Sequence, residues 1–341
     1  MSETVPAEFD DILQLQKQGK TTEALESCRK LLELHPRNPT LHQFAAMIYC
    51  QGGNFKDGIH HLEQTIMNGM DTPAMRFNLI KALFEMGELA GARRECEALI
   101  SREGNYEKFL CTYADILKAQ GELDHAQATY QQVLTANQDN LHAWNNLGNM
   151  LHDMGRFDHA AIALKNAVRL APQSVETLIN LGMALGKSGQ AEQALVPLGR
   201  ACDLDPDNLL ALEALGELMI NLGRQVDTVQ IYERVTRLAP ANPAGFFSYG
   251  TALAYNSKPV EAIAAYREAI RLKPDMWTAH INLISQLEKT NQLEEMDNVL
   301  KVVEEAGVDH PSLPVFRATI LKRQGEFAAA REMLERTDTS G

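Results

Sequence analysis

LHAWNNLGNMLHDMGRFDHAAIALKNAVRLAPQS, residues 141–174, decides the fold. A step of 34 residues in either direction brings the same pattern back, with units starting at Val5, Pro39, Pro73, Glu107, Leu141, Val175, Leu209, Pro243, Trp277 and Pro311. Such a period belongs to stacked helical hairpins, each burying its apolar face on its neighbours. It predicts an all-α chain of ten helix–turn–helix units, about 20 helices, forming a single solenoid over residues 5–341 after a tail of residues 1–4. Length alone suggests two domains, but a solenoid has no single core to outgrow.

Sterics set the phase. With each unit numbered 1 to 34, position 15 is Gly in eight units of ten, and Ser257 and Asn291 replace it in units eight and nine. Glycine suits a backbone that leaves one helix and enters another within a few residues. Position 11 (Leu117, Leu151, Leu185) and position 24 (Cys28, Cys96, Tyr130, Leu164) are apolar in every unit, one core knob per helix. Small residues at position 8 (Ala114, Gly148, Gly182, Gly216, Gly250) and position 20 (Ala24, Ala92, Ala126, Ala160, Ala194, Ala262) let the two backbones approach. Pro36, Pro172, Pro206, Pro240 and Pro274, at position 32, close the second helix.

Trp144, Leu147, Gly148, Ala160 and Pro172 fall where the tetratricopeptide repeat pattern wants them, and the chain resembles that family over almost its whole length. The resemblance implies a right-handed α-solenoid superhelix, with first helices lining a concave groove and second helices facing outward. By the same analogy, positions 2, 5, 6, 9, 12 and 13 line the groove. Their helical spacing agrees, since they avoid the core stripe at 4, 7, 8 and 11.

Composition excludes several function classes. A formal charge of −13 argues against nucleic acid, whose binders carry a basic stripe. No apolar run approaches a membrane span, so no insertion is expected. The opening MSETVPAEFDDILQLQKQGK lacks the basic and apolar regions of a secretory signal, which predicts a cytoplasmic protein. The five cysteines form no CxxC pair, and His60 and His61, being adjacent on a helix, read as surface residues. No metal site and no cofactor are expected. GMALGKSG, Gly182 to Gly189, resembles a phosphate loop but has three residues between its glycines where the motif needs four. Its glycines are a helix crossing and a turn. With no HExxH or GxSxG signature either, the chain reads as a non-enzyme.

The groove positions carry the functional expectations. Unit five is the most polar, with His142, Asn145, Asn146, Asn149, His152 and Asp153; Asn180 continues it, and Asn78 and Asn282 repeat position 6. Asparagine both donates and accepts, so such a set can hold an extended peptide by its backbone. The arrangement is similar to the asparagine ladder in the repeat arm of O-GlcNAc transferases, although Asp10, Phe44, Thr112, Ala214, Ser248 and Phe316 interrupt it. Phe44, Met47, Phe77 and Phe84 would form an apolar groove patch if exposed together, while Phe9 is expected to cap the first unit. Glu213 and Glu217 favour a basic segment, and Phe247 and Tyr255 add aromatic surface. Asn149 and Asn180 fit the carboxylate clamp of chaperone-binding relatives, but Leu210 and Ala214 stand where its cations belong, so an acidic C-terminal tail is not the expected ligand.

Two irregularities remain. The last unit ends without a polar cap, which predicts a following domain or self-association through the solenoid ends. LPVFRATILKRQGEFAAAREML resembles the boundary segment of bacterial proteins that join such repeats to a sulfotransferase domain. In unit nine, Ile284 and Met296 replace both small crossing residues, so its helices should sit farther apart, change the local pitch and form a weak point. The leading expectation is a protein-interaction scaffold that binds peptide segments in its groove. The alternative is the substrate-recruiting arm of a sulfotransferase or glycosyltransferase whose catalytic domain lies outside the chain.

Overall fold

The computed structural model describes residues 9–104 and 106–338. The expected tail of residues 1–4 and the start of the first unit at Val5 lie outside the described residues. Among the described residues the regular structure is entirely helical, an α-solenoid of helix–turn–helix repeats. Contacts divide the chain after Met154 into two compact bodies. The N-terminal body holds α1 (Phe9–Lys17), α2 (Thr21–Leu34), α3 (Pro39–Gln51), α4 (Phe55–Met67), α5 (Pro73–Glu85), α6 (Leu89–Glu103), α7 (Glu107–Ala119), α8 (Leu123–Ala136) and α9 (Leu141–Asp153). The C-terminal body holds α10 (Phe157–Leu170), α11 (Val175–Lys187), α12 (Ala191–Leu204), α13 (Leu209–Asn221), a single 3-10 turn (Gln225–Thr228) and α14 (Val229–Leu238). It continues with α15 (Pro243–Tyr255), α16 (Pro259–Leu272), α17 (Trp277–Lys289), α18 (Leu293–Glu305), α19 (Leu313–Gln324) and α20 (Phe327–Asp338).

Backbone chemistry explains each boundary. All eight position-15 glycines have positive φ, between 71 and 88°, and Ser257 and Asn291 take φ 57° at the same place. Five second helices (α2, α10, α12, α14, α16) stop two residues before Pro36, Pro172, Pro206, Pro240 and Pro274, and the residue between has φ between −139 and −128°. Proline disfavours helical backbone in the residue before it. The next helix opens on a side-chain cap at position 34. Asn38, Thr72, Asn140, Ser174, Asn208 and Asn242 each accept from a backbone N–H of the first turn, worth about 1 kcal/mol apiece.

Packing follows the small residues. Ala24, Ala92, Ala114, Ala126, Ala160, Ala194 and Ala262 are fully buried, and Gly148, Gly182, Gly216 and Gly250 are buried too. The large position-24 side chain sits directly on the glycine. A Cβ at Gly182 would stand 2.4 Å from Leu198 Cγ, and one at Gly216 would stand 2.7 Å from Tyr232 Cζ. First helices of successive units also touch, as in α7 with α9 and α11 with α13. No helix among the described residues is long and apolar enough to cross a membrane.

Units seven and nine depart from the pattern in different ways. Thr228 takes the crossing position of unit seven, fully buried, and its hydroxyl donates to the Gln225 carbonyl at 2.7 Å, closing the 3-10 turn ahead of a short α14. The repeat pattern had singled out only unit nine. There Ile284 and Met296 are both fully buried, so the crossing is filled by large side chains.

Candidate functional site

The first helices of the N-terminal body present two adjoining recesses. The first, about 790 Å³, has Leu13, Phe44, Met47 and Cys50 in its lining together with the polar side chains of Gln16, Thr40, Gln43, Gln51 and Asn78. The second, about 510 Å³, is lined by Phe77, Phe84, Lys108, Cys111, Thr112, Asp115 and His142 among others. Lys81 and Glu85 belong to both. These residues occupy positions 2, 5, 6, 9, 12 and 13 of their units.

The apolar patch expected from Phe44, Met47, Phe77 and Phe84 needs correction. Phe44 and Phe77 are buried, at 4% and 6% exposure, Phe84 is half-buried, and Met47 is the exposed member. The aromatic rings are long enough to reach the neighbouring unit. Phe44 meets Phe9 edge-on at 5.5 Å between centroids, and Phe77 meets Phe109 at 5.7 Å. They build the floor rather than an open patch.

Asp115 organises the second recess. Tyr130 Oη donates to Asp115 Oδ1, Asn146 Nδ2 donates to the same oxygen at 2.8 Å, and His142 Nε2 lies 3.0 Å from Oδ2. The hydrogen bond to Asp115 raises the His142 pKa above 6.5, against the opposing effect of burial. Burial, followed by the Asp115 charge, drives the Tyr130 phenol upward. The polar cluster expected at unit five is therefore tied into unit four. Asn145 and Asn149 are half-exposed with polar partners, and His152 and Asp153 lie side by side, with Lys118 Nζ 4.0 Å from Asp153 Oδ2. Sequence reading missed Asp115 because a lone aspartate at position 9 has no distinguishing pattern.

In the C-terminal body, Asn180 is half-exposed and has a polar partner. Glu213 accepts from Asn242 Nδ2 at 2.9 Å, and exposed Glu217 lies 4.0 Å from Lys187 Nζ. Phe247 leans on the Tyr266 ring, 6.0 Å between centroids, while Tyr255 is 60% exposed. The Tyr266 hydroxyl donates to Thr251 Oγ1 at 3.3 Å, and Asn282 opposes the rise that burial gives its pKa. Ser248 acts in the same sense on Tyr232 and, in the other body, Asn146 on Tyr130. A polar side chain at position 6 thus acts on the tyrosine at position 24 of the preceding unit, 16 residues back. That spacing was legible in the sequence but was hidden by reading each unit alone.

His60 is exposed as expected, whereas its neighbour differs from expectation. His61 is half-buried, with Nδ1 2.8 Å from Nδ1 of buried His42, whose Nε2 is 3.0 Å from the Pro36 carbonyl. The carbonyl requires an N–H at His42 Nε2, so His61 donates to His42 Nδ1. Burial, then the neighbouring His42, lowers the His61 pKa to about 4. Burial raises the thiols of Cys28 to about 11 and of Cys96 and Cys111 to about 12, which suits packing rather than reactivity. No group of three or more His, Cys, Asp or Glu among the described residues is placed to hold a metal ion.

A family model of the cilia and flagella-associated protein 70 middle TPR-like domain matches residues 110–225, and a tetratricopeptide repeat model matches residues 315–336. No curated protein matches the sequence. Among solved structures, the C-terminal part of a TPR repeat-containing protein from Cytophaga hutchinsonii is similar at TM-score 0.59 and 16% identity, over 70% of this chain and 98% of that one. A tetratricopeptide repeat protein from Parabacteroides merdae gives TM-score 0.51 and 13% identity, over 73% and 98%. YrrB, a TPR protein with an unusual peptide-binding site, gives TM-score 0.50 and 23% identity, over 54% and 95%. At these identities the likeness is one of fold. Taken with the unbroken period and the helical hairpins, these matches make the chain a tetratricopeptide repeat protein.

Proposed function

We propose that the chain is a protein-interaction scaffold that takes an extended peptide segment along the first-helix face of its N-terminal body. The pair of adjoining recesses carries this reading. Gln16, Gln43, Gln51 and Asn78 supply primary amides, which donate and accept alike and so match the alternating groups of a peptide backbone. Met47, Leu13 and Cys50 offer apolar surface to its side chains. The fold likeness to YrrB, a protein with a peptide-binding site, agrees with this reading. Asn145 and Asn149 are candidate contacts near the second recess, whereas Asn146 acts by holding Asp115 in place. In the C-terminal body Asn180, Glu213, Glu217, Phe247 and Tyr255 are candidate contacts for a basic segment, and Asn282 supports Tyr266.

The test is a random peptide library screened on the immobilised chain, with hits measured by fluorescence anisotropy. Met47→Glu combined with Asn78→Ala is expected to weaken the hits by about tenfold or more. Val260→Glu, at an exposed position in the other body, serves as the control and leaves them unchanged. Peptide binding that survives the double substitution overturns the reading.

A further inference from the structure

The two adjoining recesses of the N-terminal body differ in charge. Lys81 and Glu85 are the charged side chains of the first, and both are shared with the second. The second adds Glu107, Lys108, Asp115 and His142. Most of its acids are committed within the fold. Asp115 is met by Tyr130, Asn146 and His142. Glu107 Oε2 accepts from Asn137 Nδ2 at 2.9 Å and from Asn140 Nδ2 at 3.0 Å, which ties α7 to the turn ahead of α9. The two lysines are not committed. Lys81 and Lys108 are exposed, and neither forms an ion pair with a described residue. Glu85, one turn from Lys81, also has no ion-pair partner among the described residues. The uncommitted charges of the second recess are therefore two positive and one negative.

Lys108 is also positioned. Its Nζ stands over the Phe77 ring, 4.0 Å from the centroid. A ring face attracts an ammonium through its quadrupole but leaves N–H donors for an acceptor. The charge is thus held above an apolar floor of buried Phe77 and half-buried Phe84. A basic ligand side chain here would meet two free ammonium groups. A carboxylate would meet their complement, and charge-assisted bonds of this kind are the stronger ones. Building on the peptide reading proposed above, we infer that the second recess holds an acidic side chain of the bound segment, its stem on Phe77 and Phe84 and its carboxylate on Lys108 and Lys81. The segment is then neutral and partly apolar over the first recess and carries Asp or Glu over the second. Met47, Lys81 and Lys108 stand on successive first helices, α3, α5 and α7. Packed helices lie about 8–10 Å apart and an extended chain spans about 3.3 Å per residue, which places the acid about three to six residues from the side chain on Met47.

The probe is the random peptide library screened on the whole chain, with every peptide amidated at its C-terminus so that only side-chain carboxylates count. Hits are expected to be enriched in Asp or Glu. The formal charge of −13 would by itself select against such peptides, so their enrichment reports the recess. Replacing the acid of a hit by its amide is expected to weaken binding about tenfold, and Lys81→Gln with Lys108→Gln to do the same. The two changes together should lose little more than either alone, because both remove one interaction. Circular dichroism should report unchanged helix content, as both lysines are exposed. Hits that depend on Met47 and Asn78 but show no acidic enrichment overturn the inference and leave the peptide reading standing. So do hits indifferent to the lysine change, or losses that simply add, since the acid then acts elsewhere. A library that yields no hit overturns both.

Discussion

Tyr266 occupies the space a side chain at Gly250 would need: a Cβ there would stand 2.8 Å from both Cδ1 and Cε1 of the ring. Elsewhere a helix-interior Gly→Ala change gains about 0.5–1 kcal/mol. Here the overlap dominates, because the ring is itself fully buried and cannot swing out. Gly250→Ala is expected to lose about 1–3 kcal/mol of stability, read from the urea unfolding midpoint. A neutral or stabilising result would show that the second helix can shift aside.

Ser257 provides the opposite case. It holds φ 57° in the turn where eight units use glycine. Left-handed backbone costs an ordinary L-residue about 1–2 kcal/mol, which exceeds the flexibility cost of glycine. Ser257→Gly is expected to raise the thermal midpoint, by an amount equivalent to about 0.5–1 kcal/mol. Asn291→Gly gains less, since asparagine tolerates this conformation better. A fall in midpoint for Ser257→Gly would contradict the account.

Asp115→Ala leaves the buried Tyr130 hydroxyl and the Asn146 amide without their acceptor. The expected loss is about 1–3 kcal/mol, the cost of a buried polar group left unpaired. Asn146→Ala should also destabilise, whether or not a peptide is present. If Asn146→Ala leaves the denaturation curve unchanged, the residue is not structural and its assignment to ligand binding regains force.

Two histidines of the N-terminal body titrate in opposite senses. His61 has its pKa lowered from 6.5 to about 4, so between those values the unfolded chain binds more protons than the folded one. Its contribution is complete above pH 6.5 and is lost as pH falls toward about 4. His142 is raised, so its contribution is complete below the ordinary histidine range and is lost as pH rises through the elevated value. Unfolding midpoints against pH should flatten on the acid limb in His61→Gln and on the neutral-to-alkaline limb in His142→Gln. Identical profiles for the two variants would refute the assignment.

Much of the fold is local and so is written in every repeat. The Gly-to-Ser257 and Gly-to-Asn291 exchanges, the proline stops and the small residues at the crossings each act within one hairpin. Ten copies of the same signal reinforce one another. The position-34 caps were equally local and could have been read from Asn38, Thr72, Asn140, Ser174, Asn208 and Asn242.

The site depends on contacts between units. Phe44 and Phe77 looked like open groove residues, yet they are buried because their rings reach into a neighbouring unit. Asp115 and His142 lie 27 residues apart, on α7 and α9, and only the stacking of those helices brings the carboxylate to the imidazole. His42 and His61 pair within one hairpin, across α3 and α4, where the rotation of the two helices sets the contact. The sequence by itself determined the period, the turns and the crossing residues, because these follow from backbone conformation and from close approach within a hairpin. Tertiary structure alone decided which polar groups face one another, because a side chain's partner depends on the distance and rotation between neighbouring helices, and a repeat pattern does not encode those residue by residue.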